Sequence, residues 1–336
     1  MKTVLVENAV GTVLAHDLTQ IIPGEFKGSR FQKGHVVEEP DIPVLLSMGK
    51  KHLFVLELGA DDVHEDDAAR RIAAAAAGAN IDLLPKGEGK VELRAACDGL
   101  LKIDVDKLEA LIEDDEVMFA AIHENVMVRK GEQLAGTRVI PLFVKEAVVR
   151  RAESVGPFVE VKPLRPLKVG LVTTGSEIYH HLIEDKFGDI LRRKFEALGS
   201  TVFEQLFADD DDQMIADCIG SLQARGADLI AVTGGMSVDP DDLTPTAIRQ
   251  LGAEIITHGV PAQPGNMTLV AYLGDVPILG VPGAAISMPT TIFDVLLPQI
   301  YEGDRLTHED LIRLGDGGLC RLCKPCHFPN CTFGRY

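Results

Sequence analysis

The sequence predicts an α/β protein: a three-layer domain with a mostly parallel sheet, preceded by β-rich and mixed α+β parts. Between residues 166 and 302, short apolar runs alternate with stretches whose apolar residues recur at helical spacing. Such alternation is typical of strand–helix–strand units, which build parallel sheets covered on both faces. Hydrophobic residues make up 46% of the 336 residues and charged residues 25%, and this globular composition excludes wholesale disorder.

The N-terminal segment 1–60 contains short β-type runs that are separated by turn signals. The runs occupy 11–14, 35–37 and 52–56, and the turn signals are Pro23-Gly24, Lys27-Gly28 and Lys33-Gly34. Val, Phe and Thr are enriched in strands, whereas Gly and Pro mark the turns between them. We therefore expect residues 1–60 to form a β-rich segment.

Residues 61–165 predict a mixed α+β region of helices and strands. The predicted elements are helices over 66–79 and 104–113 and strands within 127–149, broken at 130–131 and 135–136. The first helix is rich in Ala, the residue with the highest helix propensity. A stiff connector with two prolines, at 161–166, marks the end of this region.

The strongest pattern of alternating elements lies in residues 166–302. Strands are predicted at 168–173, 202–207, 228–232 and 276–281, and helices over 190–198, 214–222, 245–251 and 286–300. The strand runs are short and mostly apolar, as buried parallel strands are. Residues 303–336 remain as a C-terminal tail that is rich in Cys.

Charge and composition exclude several classes of function. The chain has 33 Lys+Arg against 51 Asp+Glu, a net charge of −18, and no Trp. An acidic chain that is poor in aromatics is unsuited to nucleic-acid binding. The sequence has no apolar run long enough to predict a membrane span, and Glu7 comes too early for a signal peptide. We therefore expect a soluble, cytoplasmic protein.

Glycine-containing loops follow three of the predicted strands, at 173–177, 233–242 and 280–285, and a fourth lies at 264–267. Ligands of open α/β sheets bind beyond the carboxyl ends of strands, where the backbone N–H groups of such loops and of helix N-termini attract anions. Each loop alone could be ordinary turn chemistry, but three at successive strand ends predict a shared ligand site. Its candidate residues are Thr174, Gly175, Ser176, Thr233, Gly234, Gly235, Ser237, Pro264, Gly265, Asn266, Pro282 and Gly283.

Carboxylates near these loops are candidates for holding Mg²⁺ beside a phosphate. Asp242 and Glu177 are the two that we assign to catalysis, with Asp242 also as the Mg²⁺ ligand, although both could instead serve helix N-termini. Asp239 and Asp241 are better explained as solvent-exposed charges of the loop than as catalytic groups. The acidic run 209–212 directly precedes a predicted helix, so N-capping explains it best.

Four of the six cysteines cluster near the C-terminal end of the chain, as Cys320, Cys323, Cys326 and Cys331. Four thiolates so close in the sequence can surround one Zn²⁺ or an iron–sulfur cluster, and their spacing matches neither zinc ribbons nor bacterial ferredoxins. A disordered or oxidised tail is the alternative. Cys97 and Cys218 are interpreted as small apolar side chains that pack in the protein interior.

The loops, in this order, resemble the molybdopterin-binding domain shared by molybdopterin molybdotransferases and adenylyltransferases. The resemblance covers about 166–302 and rests on Thr174-Gly175-x-Glu177, Thr233-Gly234-Gly235-x-Ser237, Asp242, Pro264-Gly265 and Pro282-Gly283. The opening 9–17 is similar to the start of the molybdotransferase, which favours that enzyme over the single-domain adenylyltransferase.

The resemblance implies binding of molybdopterin, a pterin dithiolene phosphate that is possibly adenylylated, and insertion of molybdate with release of AMP. It implies that Asp242 assists Mg²⁺ and the reaction, that Glu177 is the acid after the first Gly, and that Gly234, Gly235 and Ser237 form the phosphate loop. A homo-oligomer and a molybdoenzyme acceptor are the expected partners.

The sequence also departs from the family pattern. Ser176 stands where Asp is usual, Asn266 where Lys often follows Pro-Gly, and Ala284-Ala285 where Asn-Pro is common. Losing a cation and a polar group should impair catalysis more than binding. A non-catalytic molybdopterin carrier or insertion chaperone therefore remains as an alternative. A molybdopterin adenylyltransferase and a different nucleotide-processing enzyme of this fold are further alternatives.

Overall fold

The computed structural model describes residues 2–22, 25–55, 61–237 and 242–335, and the chain divides into two compact units. Unit 1 comprises 1–96, 103–122 and 130–160, and unit 2 comprises 97–102, 123–129 and 161–336. Division of the chain after residues 60, 165 and 302 stays a prediction. Within the described ranges, no helix is both long enough and apolar enough to cross a bilayer.

The strands up to residue 162 form several small antiparallel sheets. They are β1 (Lys2–Leu5), β2 (Leu18–Ile22), β3 (Phe26–Phe31), β4 (His52–Val55), β5 (Asp62–His64), β6 (Ile81–Gly87), β7 (Lys90–Ala95), β8 (Gly99–Ile103), β9 (Val117–Ala121), β10 (Met127–Val128), β11 (Gln133–Val139), β12 (Phe143–Lys145) and β13 (Val159–Lys162). The largest sheet has the order β6-β7-β11-β9, another has the order β10-β8-β13, and β1-β4, β2-β3 and β5-β12 are pairs.

Four helices accompany these strands: α1 (Asp41–Ser47), α2 (Glu65–Ala76), α3 (Val105–Ile112) and α4 (Glu146–Ser154). Helix α2 buries its alanine-rich face against β7 and β11. Arg71 joins α2 to α4, because its guanidinium donates to Glu146 at 2.8 Å and to Glu153 at 2.8 Å. The hydrogen bonds from Arg71 and Arg150 hold the pKa of Glu146 at about 2.

Several sequence predictions for the segment 1–160 are wrong in detail. Lys27-Gly28 is no turn, since β3 runs through it, and β11 runs through the predicted break at 135–136 with a register irregularity. The predicted strand at 146–149 belongs to α4, whose buried Val149 and Ala152 lie at a helical spacing. The runs 11–14 and 35–37 make isolated bridges only. Pro23-Gly24 and Leu56 lie outside the described residues.

Unit 2 is built on a six-stranded sheet with helices in alternation along the chain. Its elements are β14 (Lys168–Thr174), α5 (Ser176–Tyr179), α6 (Phe187–Ala197), β15 (Thr201–Ala208), α7 (Asp212–Ala224), β16 (Leu229–Thr233), α8 (Thr244–Gln250), β17 (Glu254–His258), β18 (Leu269–Leu273), β19 (Val276–Val281), α9 (Ile292–Glu302) and α10 (His308–Arg313). The strand order is β15-β14-β16-β19-β18-β17.

The first four strands of this order are parallel, and β18 and β17 add an antiparallel edge. Successive residues of β14 face opposite sides, so that Leu171 enters one core and Val172 the other. Helices α6 and α9 cover the first face, and α7 and α8 the second. This arrangement confirms the predicted three-layer α/β class with a mostly parallel sheet.

Helix α9 begins at Ile292, later than the start at 286 that the sequence predicts. Thr291 is its N-cap and forms a capping box with Asp294, while 283–286 make a 3₁₀ turn. Reciprocal bonds between an N-cap hydroxyl and the third helical residue fix a helix start. The segment 287–291 is therefore part of the loop after β19, which lengthens the loop edge of the sheet.

Candidate functional site

The loops after β14, β16 and β19 begin side by side at one edge of the sheet. Thr173 pairs with Thr233, and Thr233 pairs with Val281. Two positions after each of these aligned residues lies a glycine: Gly175, Gly235 and Gly283, respectively. Since neighbouring strands are about 4.8 Å apart, the three loops start within about 10 Å of one another. The structure thus brings together the three loops that the sequence predicted to share a site.

The strand order also places a topological switch point at this edge. The chain leaves β14 for β15 on one side and returns to β16 on the other. Ligands of open α/β sheets bind in the crevice that such a reversal leaves beyond the carboxyl ends of the strands. The first and second loops flank this position.

The fourth predicted loop lies at the same edge. Strand β18 begins at Leu269, opposite Gly280 near the end of β19. The carbonyl of Pro264 accepts the N–H of Ile292 at 3.0 Å, which ties the loop to the start of α9. Asn266 is exposed, and only its backbone carbonyl has a described bond, from Val260 N–H at 2.8 Å.

The glycines of the site serve two different purposes. Gly234 has φ +86°, and a Cβ there would lie 2.5 Å from the carbonyl oxygen of Thr174. Gly235 has φ +57°, and its Cβ would lie 2.9 Å from the hydroxyl of Thr244. A Cβ on Gly175 or Gly283 would meet nothing within 4 Å. Gly234 is therefore needed for close contact with the first loop and Gly235 for close contact with the start of α8, whereas Gly175 and Gly283 face open space.

Four residues of the predicted ligand site carry a hydroxyl, and two of these hydroxyls are buried in the protein. Thr174 is 3% exposed and its hydroxyl donates to the carbonyl of Thr233 at 3.0 Å. Thr233 is 0% exposed, and its hydroxyl has no hydrogen-bond partner in the described part of the chain. Ser176 is half-buried and Ser237 is exposed. The two serines are thus more accessible to a ligand than the two threonines.

The predicted help from helix N-termini is smaller than the sequence suggested. Only one helical turn, α5, follows the first loop, and a 3₁₀ turn follows Pro282. The amide of Ser176 already donates to the carboxylate of Asp210 at 2.9 Å. Because short helices offer little dipole, anion binding here depends on the loop N–H groups themselves.

The acidic run 209–212 divides between two tasks. Asp211 caps α7 as predicted, accepting the N–H of Met214 at 2.7 Å. Asp209 and Asp210 instead bind the first loop and the helix that follows it. Asp210 accepts the amide of Ser176, and Asp209 bonds Nε2 of His180, just after α5, at 3.1 Å. The amide of Asp210 and the hydroxyl of Ser176 hold the pKa of Asp209 below its ordinary value. The sequence assigned both acids to N-capping, although they follow β15 directly.

The two carboxylates assigned to catalysis flank the same edge. Glu177 opens α5 and is exposed, and Asp242 is half-buried just before α8. Asp239 and Asp241 lie outside the described residues. Across the described ranges, no three His, Cys, Asp or Glu side chains approach closely enough to share a metal ion. A Mg²⁺ site at Asp242 therefore stays a prediction.

The four tail cysteines surround one cavity of about 40 Å³ in unit 2. Cys320 and Cys331 are half-buried, whereas Cys323 and Cys326 are exposed. None of them belongs to a metal-binding group among the described residues. The predicted Zn²⁺ or iron–sulfur site stays a prediction.

A second cluster of titratable side chains, which the sequence did not indicate, lines a cavity of about 390 Å³ in unit 1. Burial lowers the pKa of His16 and raises the pKa of Glu65. Glu65 is 7% exposed and lies 3.7 Å from Arg138. His16 and Asp17 line this cavity together with Glu65 and Arg138.

Comparisons with known proteins match two segments of the chain to two families. Residues 170–302 match the family described as "Probable molybdopterin binding domain", and residues 3–57 match a domain family of unknown function. The molybdopterin molybdenumtransferase of Synechococcus elongatus is 27% identical over 183 residues, 51% of this chain and 44% of that protein. The enzyme of the same name from Bacillus subtilis is 26% identical over 165 residues, 46% and 36% of the two chains.

The matched part thus spans less than half the length of these curated relatives. The crystal structure of a molybdopterin biosynthesis protein from Pyrococcus horikosii is 17% identical and aligns over 90% of this chain and 74% of that one, with a TM-score of 0.35. The family match covers the four loops that the sheet brings to one edge. Residues 170–302 are therefore similar to the molybdopterin-binding family.

Proposed function

We propose that the protein acts in molybdenum cofactor biosynthesis and binds molybdopterin, or its adenylylated form, at the loop edge of unit 2. The alignment of Gly175, Gly235 and Gly283 beyond three adjacent parallel strands is the observation that carries this proposal. Open space at Gly175 and Gly283 leaves room for a ligand beside backbone N–H groups. The similarity of 170–302 to molybdopterin-binding proteins supports the pterin phosphate as that ligand.

We infer further that the protein inserts molybdate and releases AMP, which requires cleavage of the phosphoanhydride in adenylylated molybdopterin. Asp242 is the carboxylate that would hold Mg²⁺, and the metal would stabilise charge on the phosphate. The second loop, with Ser237 at its surface, orients the phosphate through preorganised donors. Glu177, exposed beside the first loop, is the second acid available to the reaction.

The cellular setting belongs to the same proposal. We place the protein in the cytoplasm as a homo-oligomer that delivers its product to a molybdoenzyme. All six cysteines are free thiols, which suits a reducing compartment.

A non-catalytic carrier is the second candidate, and two features of the site favour it. Asn266 offers an exposed amide where the family often has a Lys, so a cation is missing from the fourth loop. The Ser176 amide is already bonded to Asp210, which leaves one donor fewer for a developing negative charge. Both features weaken stabilisation of the transition state more than binding of the ground state.

Incubation of the full chain with adenylylated molybdopterin, molybdate and Mg²⁺ tests the proposal. We expect AMP to be released, as measured by chromatography, and release to cease when molybdate is omitted. Binding of the ligand without release of AMP would instead identify a carrier. If nucleotides displace the bound adenylylated molybdopterin and molybdopterin does not, the protein is a different nucleotide-processing enzyme.

A further inference from the structure

The C-terminal cysteine segment, residues 318–335, is a closed loop packed on unit 2. Its ends meet where the N–H of Gly334 donates to the carbonyl of Gly317 at 2.9 Å. Phe333 is 4% exposed and belongs to the core that α9 covers, and Cys320 and Cys331 pack against the same core. The segment therefore has a fixed position in the fold and is not a loose tail.

This closure brings all four cysteines of the segment to one cavity of about 40 Å³, together with His327. A volume of that size holds about one water-sized particle, since a water molecule takes about 30 Å³ of the liquid. It suits a single ion. Cys320 and Cys331 are half-buried, and Cys323 and Cys326 are exposed.

A buried positive charge lies beside these thiols. Arg335 is 7% exposed, and its Nε has no hydrogen-bond partner among the described residues. Its terminal nitrogen donates to the carbonyl of Asn125, and its charge interacts with Cys331. Within the described part of the chain, it forms no ion pair with a carboxylate. A buried cation is costly unless an anion accompanies it, and thiolates at the cavity would supply one.

We propose that Cys320, Cys323, Cys326 and Cys331 bind one Zn²⁺ in a tetrahedral thiolate site with Arg335 as its buried counter-charge. Four thiolates and one Zn²⁺ carry a net charge of −2, which the guanidinium partly neutralises. On binding, the thiols release their protons, and the Zn–S bonds are about 2.3 Å long. No three ligands of the described residues are close enough to share an ion as they stand. Binding of Zn²⁺ would therefore require the exposed Cys323 and Cys326 to move toward Cys320 and Cys331.

The site would also brace the fourth loop of the candidate ligand site. The N–H of Cys320 donates to the carbonyl of Gln263 at 2.8 Å, and the N–H of Gln263 donates to the carbonyl of Gly318 at 2.7 Å. Gln263 directly precedes Pro264-Gly265. Cys326 Sγ lies 3.5 Å from the hydroxyl of Thr290, next to the N-cap of α9. Zn²⁺ thus fixes the segment that holds this loop, whatever the loop binds.

Metal analysis of the full chain, purified without chelator, tests the proposal. We expect about one zinc per chain in the wild type and in Cys218→Ser, whose thiol lies on α7. Cys323→Ser and Cys326→Ser should lose most of the zinc, and Arg335→Gln should weaken Zn²⁺ affinity by about tenfold. Zinc retained in full by Cys323→Ser, or iron with sulfide in place of zinc, would overturn the proposal.

Cobalt substitution of the wild type gives a second readout that needs no variant to fold. Co²⁺ added to the chelator-treated chain should produce the strong visible absorption of a tetrahedral tetrathiolate and be displaced by Zn²⁺. Co²⁺ without thiolate charge-transfer bands, or disulfide bonds among the four cysteines under reducing conditions, would contradict the site. Neither measurement depends on molybdopterin, so failure here is separate from failure of the proposed function.

Discussion

Replacing Gly234 by alanine is expected to lower the free energy of unfolding by about 3 kcal/mol and to abolish molybdopterin binding. Gly234 has φ +86°, a conformation that costs an alanine about 1–3 kcal/mol. The new Cβ would lie 2.5 Å from the carbonyl oxygen of Thr174, which must then shift. Since Thr174 opens the first loop, both loops of the switch point move, and their N–H groups no longer converge.

Thermal unfolding and ligand titration of the same preparations check this expectation, with Gly283→Ala as the matched control. Gly283 lies in the third loop, outside the left-handed region, and its Cβ would meet nothing within 4 Å. We expect Gly283→Ala to stay within about 0.5 kcal/mol of the wild type in stability. Wild-type stability in Gly234→Ala would contradict the close contact between the first two loops.

Asp242→Asn is expected to reduce release of AMP by at least about a hundredfold while leaving molybdopterin binding within a few-fold of the wild type. The amide keeps the size of the side chain but removes the charge that would hold Mg²⁺. Because the phosphate itself is bound by loop N–H groups, affinity should depend less on this carboxylate. Single-turnover release of AMP at several Mg²⁺ concentrations measures the effect.

Asp217→Asn is the matched control for Asp242→Asn. Asp217 is exposed on α7, and its described bond, from Gln213 Nε2 at 2.9 Å, can be kept by an asparagine. Asp217→Asn removes one negative charge, as Asp242→Asn does, and it changes no residue at the loop edge. Equal loss of AMP release in both variants would mean that overall charge matters, and unchanged release in Asp242→Asn would remove Asp242 from the reaction.

The sheet of unit 2 could be predicted because its strands carry their own signals. Residues such as Leu229–Thr233 are buried on both faces, and a glycine follows directly at Gly234. The parallel order of such strands follows from the helices between them. Since parallel strands end at one edge, the convergence of the loops could be inferred from the sequence alone.

Contacts that depend on strand order could not be predicted in the same way. The bond from the Ser176 amide to Asp210 exists because β14 and β15 are neighbours, with Thr174 opposite Ala208. The need for glycine at Gly234 depends on Thr174, which is distant in the chain and belongs to the neighbouring strand β14. The small antiparallel sheets of unit 1 contain bulges and short bridges. The apolar pattern of their strands in the sequence is therefore weak.

A crystal structure of the full chain with bound molybdopterin tests the central claim most directly. We predict that the phosphate will lie within hydrogen-bonding distance of backbone N–H groups from at least two of the loops that contain Gly175, Gly235 and Gly283. Molybdopterin bound away from all three loops, or in the charged cavity of unit 1 alone, would contradict the claim that this edge of the sheet is the pterin site.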